Sequence, residues 1–357
     1  MIILNTNTVC AQDRRSWLAW MKDCLGLVTP RNIAVAATGA GAVYLICKTI
    51  VTGIYSRPFS KGPVSLAHEE TDHVDGKDSG ELRRLLLSLA TKPDDDSKRM
   101  ILHSITRSVY LMESEASACT YEDLKLLASF LDDEDEGIKV QALNALKAFA
   151  TIEKFKISIQ EWIPMILELV MSIWNPELHI AGLRLLNGVP LHDHTYPLLR
   201  RLIPTLMKIL STGKTLAQVQ TLKLLSILAQ KEELLFDVLS CQVPSDFLNL
   251  FQTSQPGNLL FEILFFAEKL SEGRLSSQYE LELWEFNELS LHEVLFGENS
   301  HLADRLLSLI MHQEEEVQMQ ACRVILNLQL YKEEEETSFD QPMDGTFFPD
   351  DETQYNI

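Results

Sequence analysis

Between Glu81 and Leu330 apolar residues recur three and four positions apart, the spacing of helices buried along one face, and strand-like alternation is nearly absent. The same pattern returns on a longer scale. Val140-Gln-Ala-Leu-Asn-Ala-Leu146 is matched by Ile180-Ala-Gly-Leu-Arg-Leu-Leu186, Val219-Gln-Thr-Leu-Lys-Leu-Leu225 and Met319-Gln-Ala-Cys-Arg-Val-Ile325, and Leu260-Phe-Glu-Ile-Leu-Phe-Phe266 is a looser copy. In chain order the starts lie 40, 39, 41 and 59 residues apart. Each copy follows an apolar helix and a polar turn, as in "LASFLDDEDEGIKVQAL" and "LSLIMHQEEEVQMQACR". Asp135, Glu136 and Glu314 to Glu316 stand where a helix N-terminus favours negative charge. A helix-only unit near 40 residues cannot bury its apolar stripe alone, so the pattern predicts an all-α, right-handed superhelical solenoid over residues 81–330. The small third motif residue (Ala142, Gly182, Thr221, Ala321) is expected to let helices pack closely. The long interval marks residues 271–300 as an insertion, and solenoid insertions map to loops on one face, often the binding face. Ser97 to Met112 matches poorly, as a capping repeat does.

The flanks differ in kind. Residues 1–31 form a variable N-terminal segment. Residues 32–55, "NIAVAATGAGAVYLICKTIVTGIY", invite two readings. A dinucleotide loop needs a third glycine where Tyr44 stands, and an acidic residue about 20 positions on; none lies between Ala34 and Leu66. A membrane-associated helix fits better. Ile33 to Tyr55 would span about 35 Å against about 30 Å of hydrocarbon. Ile33, Val35, Val43, Leu45, Ile46, Ile50, Val51 and Ile54 together favour insertion by about 2.4–4.8 kcal/mol. Lys48 opposes it by about 2.5–3.5 kcal/mol at the centre, less where its stem reaches toward the interface. A weakly apolar span with Arg31 before it and Arg57 and Lys61 after it suits the thin mitochondrial outer membrane. Ala36, Ala37, Ala40 and Gly41 share a spacing of four, which would let two such helices approach and self-associate; ordinary tolerance of Ala and Gly is the commoner reason. Residues 56–80 are Pro- and Gly-punctuated linker, and residues 331–357 an acidic disordered tail.

Charge sharpens this division. The chain carries −20 overall. Residues 1–62 hold seven Lys/Arg against two Asp, residues 331–357 nine Asp/Glu against one Lys, and the body between them carries −17. So acidic a body disfavours nucleic acid, which requires clustered cations. The basic N-terminal part is what would meet an anionic membrane. Six scattered cysteines without C-x-x-C spacing indicate a reducing compartment.

Candidate chemistry is sparse. His192, Asp193 and His194 in "LHDHTYP" are neighbours whose side chains point apart in an extended loop, and His292, His301 and His312 lack metal-ligand spacing. No nucleophile elbow, phosphate loop or paired carboxylates stand out, so no enzyme activity, metal or cofactor is expected. The functional surface should then be a groove, an insertion or an exposed patch. The fifth motif position is Asn144, Arg184, Lys223 and Arg323, and stacking would align it into one row. Arg184, Lys223 and Arg323 are candidates for meeting acidic partner segments; a merely solvated helix face is the alternative. In the insertion Tyr279, Leu281, Trp284 and Phe286 would either anchor a partner or pack on the solenoid.

Several segments, "ATGAGAVYL", "DSGELRRLL", "MILHSITRSVYL", "ESEASACT", "VQALNALKAF", "LHIAGLRLLN", "LAQVQTLKLLSILAQK" and "FAEKLSEGR", resemble the armadillo-repeat family, and within it the members tethered to the outer mitochondrial surface. The resemblance covers roughly Ala37 to Leu330. It implies a non-enzymatic adaptor that promotes mitochondrial adhesion, elongation or positioning, and for this member formation of the mitochondrial sheath in sperm. Its partners would be mitochondrial outer-membrane proteins and other proteins held in the solenoid groove, with residues 32–55 meeting the membrane. The alternative is a soluble nuclear or cytosolic scaffold in which that segment packs as a buried helix. One departure stands out. Armadillo repeats place on the concave helix asparagines that clamp a peptide backbone; the matching positions are Ala148, Gly188, Ile227 and Asn327, and only the last conforms.

Overall fold

Capping fixes where the helices begin. Asp94 Oδ1 accepts from Ser97 N at 2.9 Å, and Asp135 Oδ1 accepts from Ile138 N at 2.8 Å. Asn175 Oδ1 accepts from Glu177 N and Leu178 N. Each bond satisfies an amide that the first helical turn leaves without a partner. The computed structural model describes residues 80–339, apart from residues 92, 275, 277, 278, 280–286 and 298. In chain order the helices are α1 (Glu81–Ala90), α2 (Asp95–Leu111), α3 (Glu113–Ala118), α4 (Tyr121–Ser129), α5 (Glu136–Phe149), α6 (Glu153–Ile159), α7 (Ile163–Ser172) and α8 (Pro176–Leu186). There follow α9 (Tyr196–Thr212), α10 (Thr215–Ala229), α11 (Glu232–Ser240), α12 (Gly257–Gly273), α13 (Leu291–Phe296), α14 (Leu302–Leu309) and α15 (Glu315–Phe339).

The motif helices form a ladder. Helices α2, α5, α8, α10, α12 and α15 touch in that order, each packed on the next. A second layer lies behind it: α1 backs α2, α4 backs α5, α7 backs α8, α9 backs α10 and α14 backs α15. Within that layer α7 packs on α9, α9 on α11, and α11 on α13. The core runs between the layers as rows of fully buried Leu and Ile, with Leu143, Leu146, Leu183, Leu186, Leu222 and Leu225 sealed from solvent. Among the described residues there is no strand, only one antiparallel bridge between Gln242 and Ser290.

The small third motif residue has a measurable cause. A Cβ at Gly182 would lie 2.7 Å from Val170 Cγ2 of α7. Ala142, Thr221 and Ala321 occupy the equivalent positions without exposure. Ladder and backing layer approach closely here, and side-chain bulk is excluded at this position.

Four features differ from the pattern-based expectation. The loose copy is displaced by one residue. On α12 Ile263 and Leu264 are buried while Phe261 and Phe265 are half-exposed and stack at 6.3 Å, so Phe265, not Leu264, holds the fifth position. The final helix continues to Phe339, nine residues past the boundary drawn at 330, because the Lys332–Glu336 stretch is rich in good helix formers. The insertion is partly a packed element: Leu291 N donates to Cys241 O and Val243 N to Leu289 O, pinning it beside α11. Within it Tyr279 is buried, which settles that ring as packing and not as an exposed anchor. The membrane-helix residues Ile33, Val43, Leu45, Ile46, Lys48, Ile50 and Val51 lie outside the described residues; among the described ones no helix is long and apolar enough to cross a membrane.

Two substitutions test the ladder. Leu183→Asp should abolish cooperative unfolding in circular dichroism, because a buried unpaired carboxylate costs several kcal/mol. Gly182→Ala should lower stability by about 1–2 kcal/mol in the native background through overpacking. In a Val170→Ala background it should raise stability by up to about 1 kcal/mol, since alanine is the better helix former once space exists. Urea titrations of the four proteins measure the cycle; additivity would disprove the close approach as the cause.

Candidate partner-binding face

The fifth motif position emerges as one row on the open side of the ladder, but its members are not equivalent. Arg184 is exposed and forms no ion pair or hydrogen bond with the described residues. Lys223 is also exposed, yet its Nζ lies 3.4 Å from Oε1 of Glu262 on the next rung. Burial pushes the Glu262 carboxyl above its ordinary range, an effect that Lys223 opposes. Arg323 is half-buried and engages its own helix, with Nη1 3.4 Å from Gln320 Oε1 and Nη2 4.0 Å from Met319 Sδ. Asn144 is half-exposed on the same row. The structure therefore brings Arg184, Lys223 and Arg323 to one face while tying two of them to protein groups. Trp284 and Phe286 lie outside the described residues.

Sequence reasoning missed one more cation on this ladder. Lys147 leaves α5 and its ammonium reaches Gly188 in the turn after α8, where a Cβ would collide with it. Burial lowers the Lys147 pKa, and the charge of Lys156 lowers it further; no carboxylate contributes. The signal was available, since a lysine interrupts an apolar helix beside the position where a neighbouring repeat carries glycine.

Polar clasps also join rungs. Asn187 Nδ2 donates to Gln220 O at 2.9 Å and to Gln220 Oε1 at 3.2 Å. Gln320 Nε2 donates to Glu268 Oε2 at 2.6 Å, with both residues buried. A carboxylate inside the core is tolerable only with such a partner. Asn327, the single asparagine at the peptide-clamping position, has its amide nitrogen buried without a hydrogen-bond partner.

The remaining candidates resolve into local roles. His192 and His194 do not point apart as expected: the chain turns at residues 193–195, and the two exposed rings stack at 5.9 Å. His292 is half-buried between Tyr279 and Glu293, with Nδ1 3.0 Å from Glu293 Oε1, and burial lowers its pKa. His312 Nδ1 accepts from Glu314 N at 3.1 Å, a helix-start contact. Among the described residues no three His, Cys, Asp or Glu groups converge as metal ligands. Burial pushes the Cys119 and Cys241 thiols up to about 11, which leaves little thiolate at neutral pH.

The buried clasp yields a stability test. Gln320→Ala leaves the Glu268 carboxylate unpaired and should cost about 1–3 kcal/mol. Glu268→Leu combined with Gln320→Leu should recover most of that loss, because removing both partners strands neither. Guanidinium unfolding midpoints of the two variants measure the difference.

The profile of the family described as Armadillo-like matches residues 78–296. Armadillo repeat-containing protein 12 of Homo sapiens is 57% identical over 304 residues, covering 84% of this chain and 89% of that protein. The Mus musculus protein of the same name is 57% identical over 298 residues, covering 82% and 87%. Among solved structures, designed armadillo repeat protein YIII(Dq)4CqI shares 14% identity with a TM-score of 0.52, over 70% of this chain and 100% of its own. Designed armadillo repeat protein YIII(Dq.V1)4CPAF, in complex with peptide (KR)4, shares 16% identity with a TM-score of 0.53, over 70% and 99%. The likeness to the designed proteins is one of fold alone. A ladder of motif helices with a period near 40, a family profile across most of the described body and relatives sharing more than half their residues agree: the chain belongs to the armadillo-like family.

Proposed function

We propose that this armadillo-repeat scaffold is held at the cytosolic face of the mitochondrial outer membrane, where it joins mitochondria to partner proteins and promotes their adhesion, elongation or positioning. Formation of the sperm mitochondrial sheath is the setting we favour. The observation that carries the scaffold role is the open face of the six-helix ladder, which presents a half-exposed asparagine and an arginine that pairs with none of the described residues. Stacked repeats make extended binding surfaces of this kind. The membrane assignment rests on residues 32–55, a moderately apolar stretch with basic residues at both ends. The partners are outer-membrane proteins with acidic segments, and a second copy joined through the small-residue face of residues 36–41. A soluble nuclear or cytosolic scaffold is the competing outcome of the tests below.

Residues 32–55 should suffice to carry a fluorescent reporter to mitochondria. Lys48→Leu with Thr38→Leu should redirect it to the endoplasmic reticulum, as hydrophobicity rises. The full chain should resist alkaline carbonate extraction, and deletion of residues 32–55 should release it. Unchanged localisation after that deletion would favour the soluble scaffold. On the binding face, Arg184→Glu should weaken recovery of outer-membrane proteins in a low-salt pulldown more than Lys223→Glu does. Lys223 is already engaged by Glu262, and each exposed contact contributes only about 0.2–1 kcal/mol.

A further inference from the structure

Among the described side chains, the ladder cations that engage no other protein group stand at one end. Aligned on their N-cap aspartates, Asp94 and Asp135, α2 places Arg107 opposite Ala148, one residue beyond Lys147. Arg107, Lys147 and Arg184 thus stand on three consecutive rungs, and none has an ion pair or hydrogen bond with the described residues. The distal rungs are different. Lys223 pairs with Glu262, Lys269 pairs with Glu272 at 2.6 Å, and Arg323 engages Gln320. In a body of −17 this leaves a localised cationic patch over α2, α5 and α8.

A complementary segment belongs to the same chain. Residues 340–357 carry Asp340, Asp344, Asp350, Asp351 and Glu352 and no Lys or Arg. They follow directly on α15, the last rung. All rungs are equivalent helices of one repeat and run the same way, so α15 delivers this segment from the edge of the ladder that also holds Lys147 and Gly188. Neighbouring helices lie about 8–10 Å apart, so α8 is roughly 30 Å from α15 and α5 roughly 40 Å. Eighteen extended residues reach about 60 Å. Tethering would hold the segment near the patch at an effective concentration of order millimolar.

We infer that residues 340–357 lie back across the open face and dock their carboxylates on Lys147 and Arg184, so that the chain occupies its own partner-binding surface until a partner displaces it. Acidic segments of partners then compete with the tail, and binding strength is set by the difference. The inference rests on the proposal that the open face is the partner surface.

The test uses the full chain in mild detergent and a fluorescein-labelled synthetic peptide of residues 340–357, followed by anisotropy. Neutralising the tail (Asp340, Asp344, Asp350 and Asp351 to Asn, Glu352 to Gln) should tighten peptide binding by about tenfold or more, because the resident competitor is gone. Adding Lys147→Glu and Arg184→Glu should abolish the gain, with circular dichroism unchanged. Equal affinity for native and tail-neutralised chains would overturn the inference, as would a gain insensitive to the two reversals. A gain accompanied by loss of dimer in sedimentation would place the tail on a second copy and overturn the intramolecular form. Pulldown separates this from the functional reading. Partner capture lost on reversing Lys147 and Arg184, with peptide affinity indifferent to the tail, would keep the face and discard the tail. Capture insensitive to the reversals, with the peptide result as expected, would keep the tail and discard the face as partner surface.

Discussion

Each motif helix has one apolar stripe too wide for its own backing helix to cover, and every rung of the ladder follows from that deficit. The stripe of α8 is buried only because α5 and α10 flank it and α7 lies behind it. Burial of Leu183 and Leu186 is therefore a property of three repeats together. Chains of this kind gain stability by propagation, with nearest-neighbour interfaces as the unit. The close approach of Gly182 to Val170 explains why the third motif residue is small in all four clear copies.

Polar groups caught between rungs must satisfy one another. Asn187 with Gln220 and Gln320 with Glu268 are hydrogen-bonded across rungs at buried or half-buried sites. Such pairs do more for register than for net stability, since an apolar pair would pack as well. The same proximity disposes of charge: Lys223 and Glu262 meet because successive rungs bring them together, which removes Lys223 from the pool of free cations. What remains open is decided by these pairings, and it is the N-terminal half of the face.

Much of the architecture was legible in the chain. The repeat spacing, the acidic helix start at Asp135 and Glu136 and the small third residue specify helices, their starts and their stacking, because these depend on local and nearest-neighbour chemistry. The candidate face was only half legible. The row containing Arg184, Lys223 and Arg323 exists, yet its electrostatic character was not readable, because Glu262 is 39 residues from Lys223 along the chain. Lys147 was overlooked for the same reason: its neighbour Gly188 belongs to the next repeat. The one-residue displacement on α12 also escaped the pattern, since Leu and Phe both satisfy an apolar position and only packing chooses between them.

The sequence by itself determined an all-helical repeat body, because helical periodicity is written in residues only a few positions apart. Tertiary structure alone decided which cations are spent on internal pairs, that Tyr279 is core, and that the insertion is fastened to residues 241–243. Those outcomes depend on distances between residues remote in the chain, and a helix-period pattern carries no information about which side chain of the next rung will lie opposite.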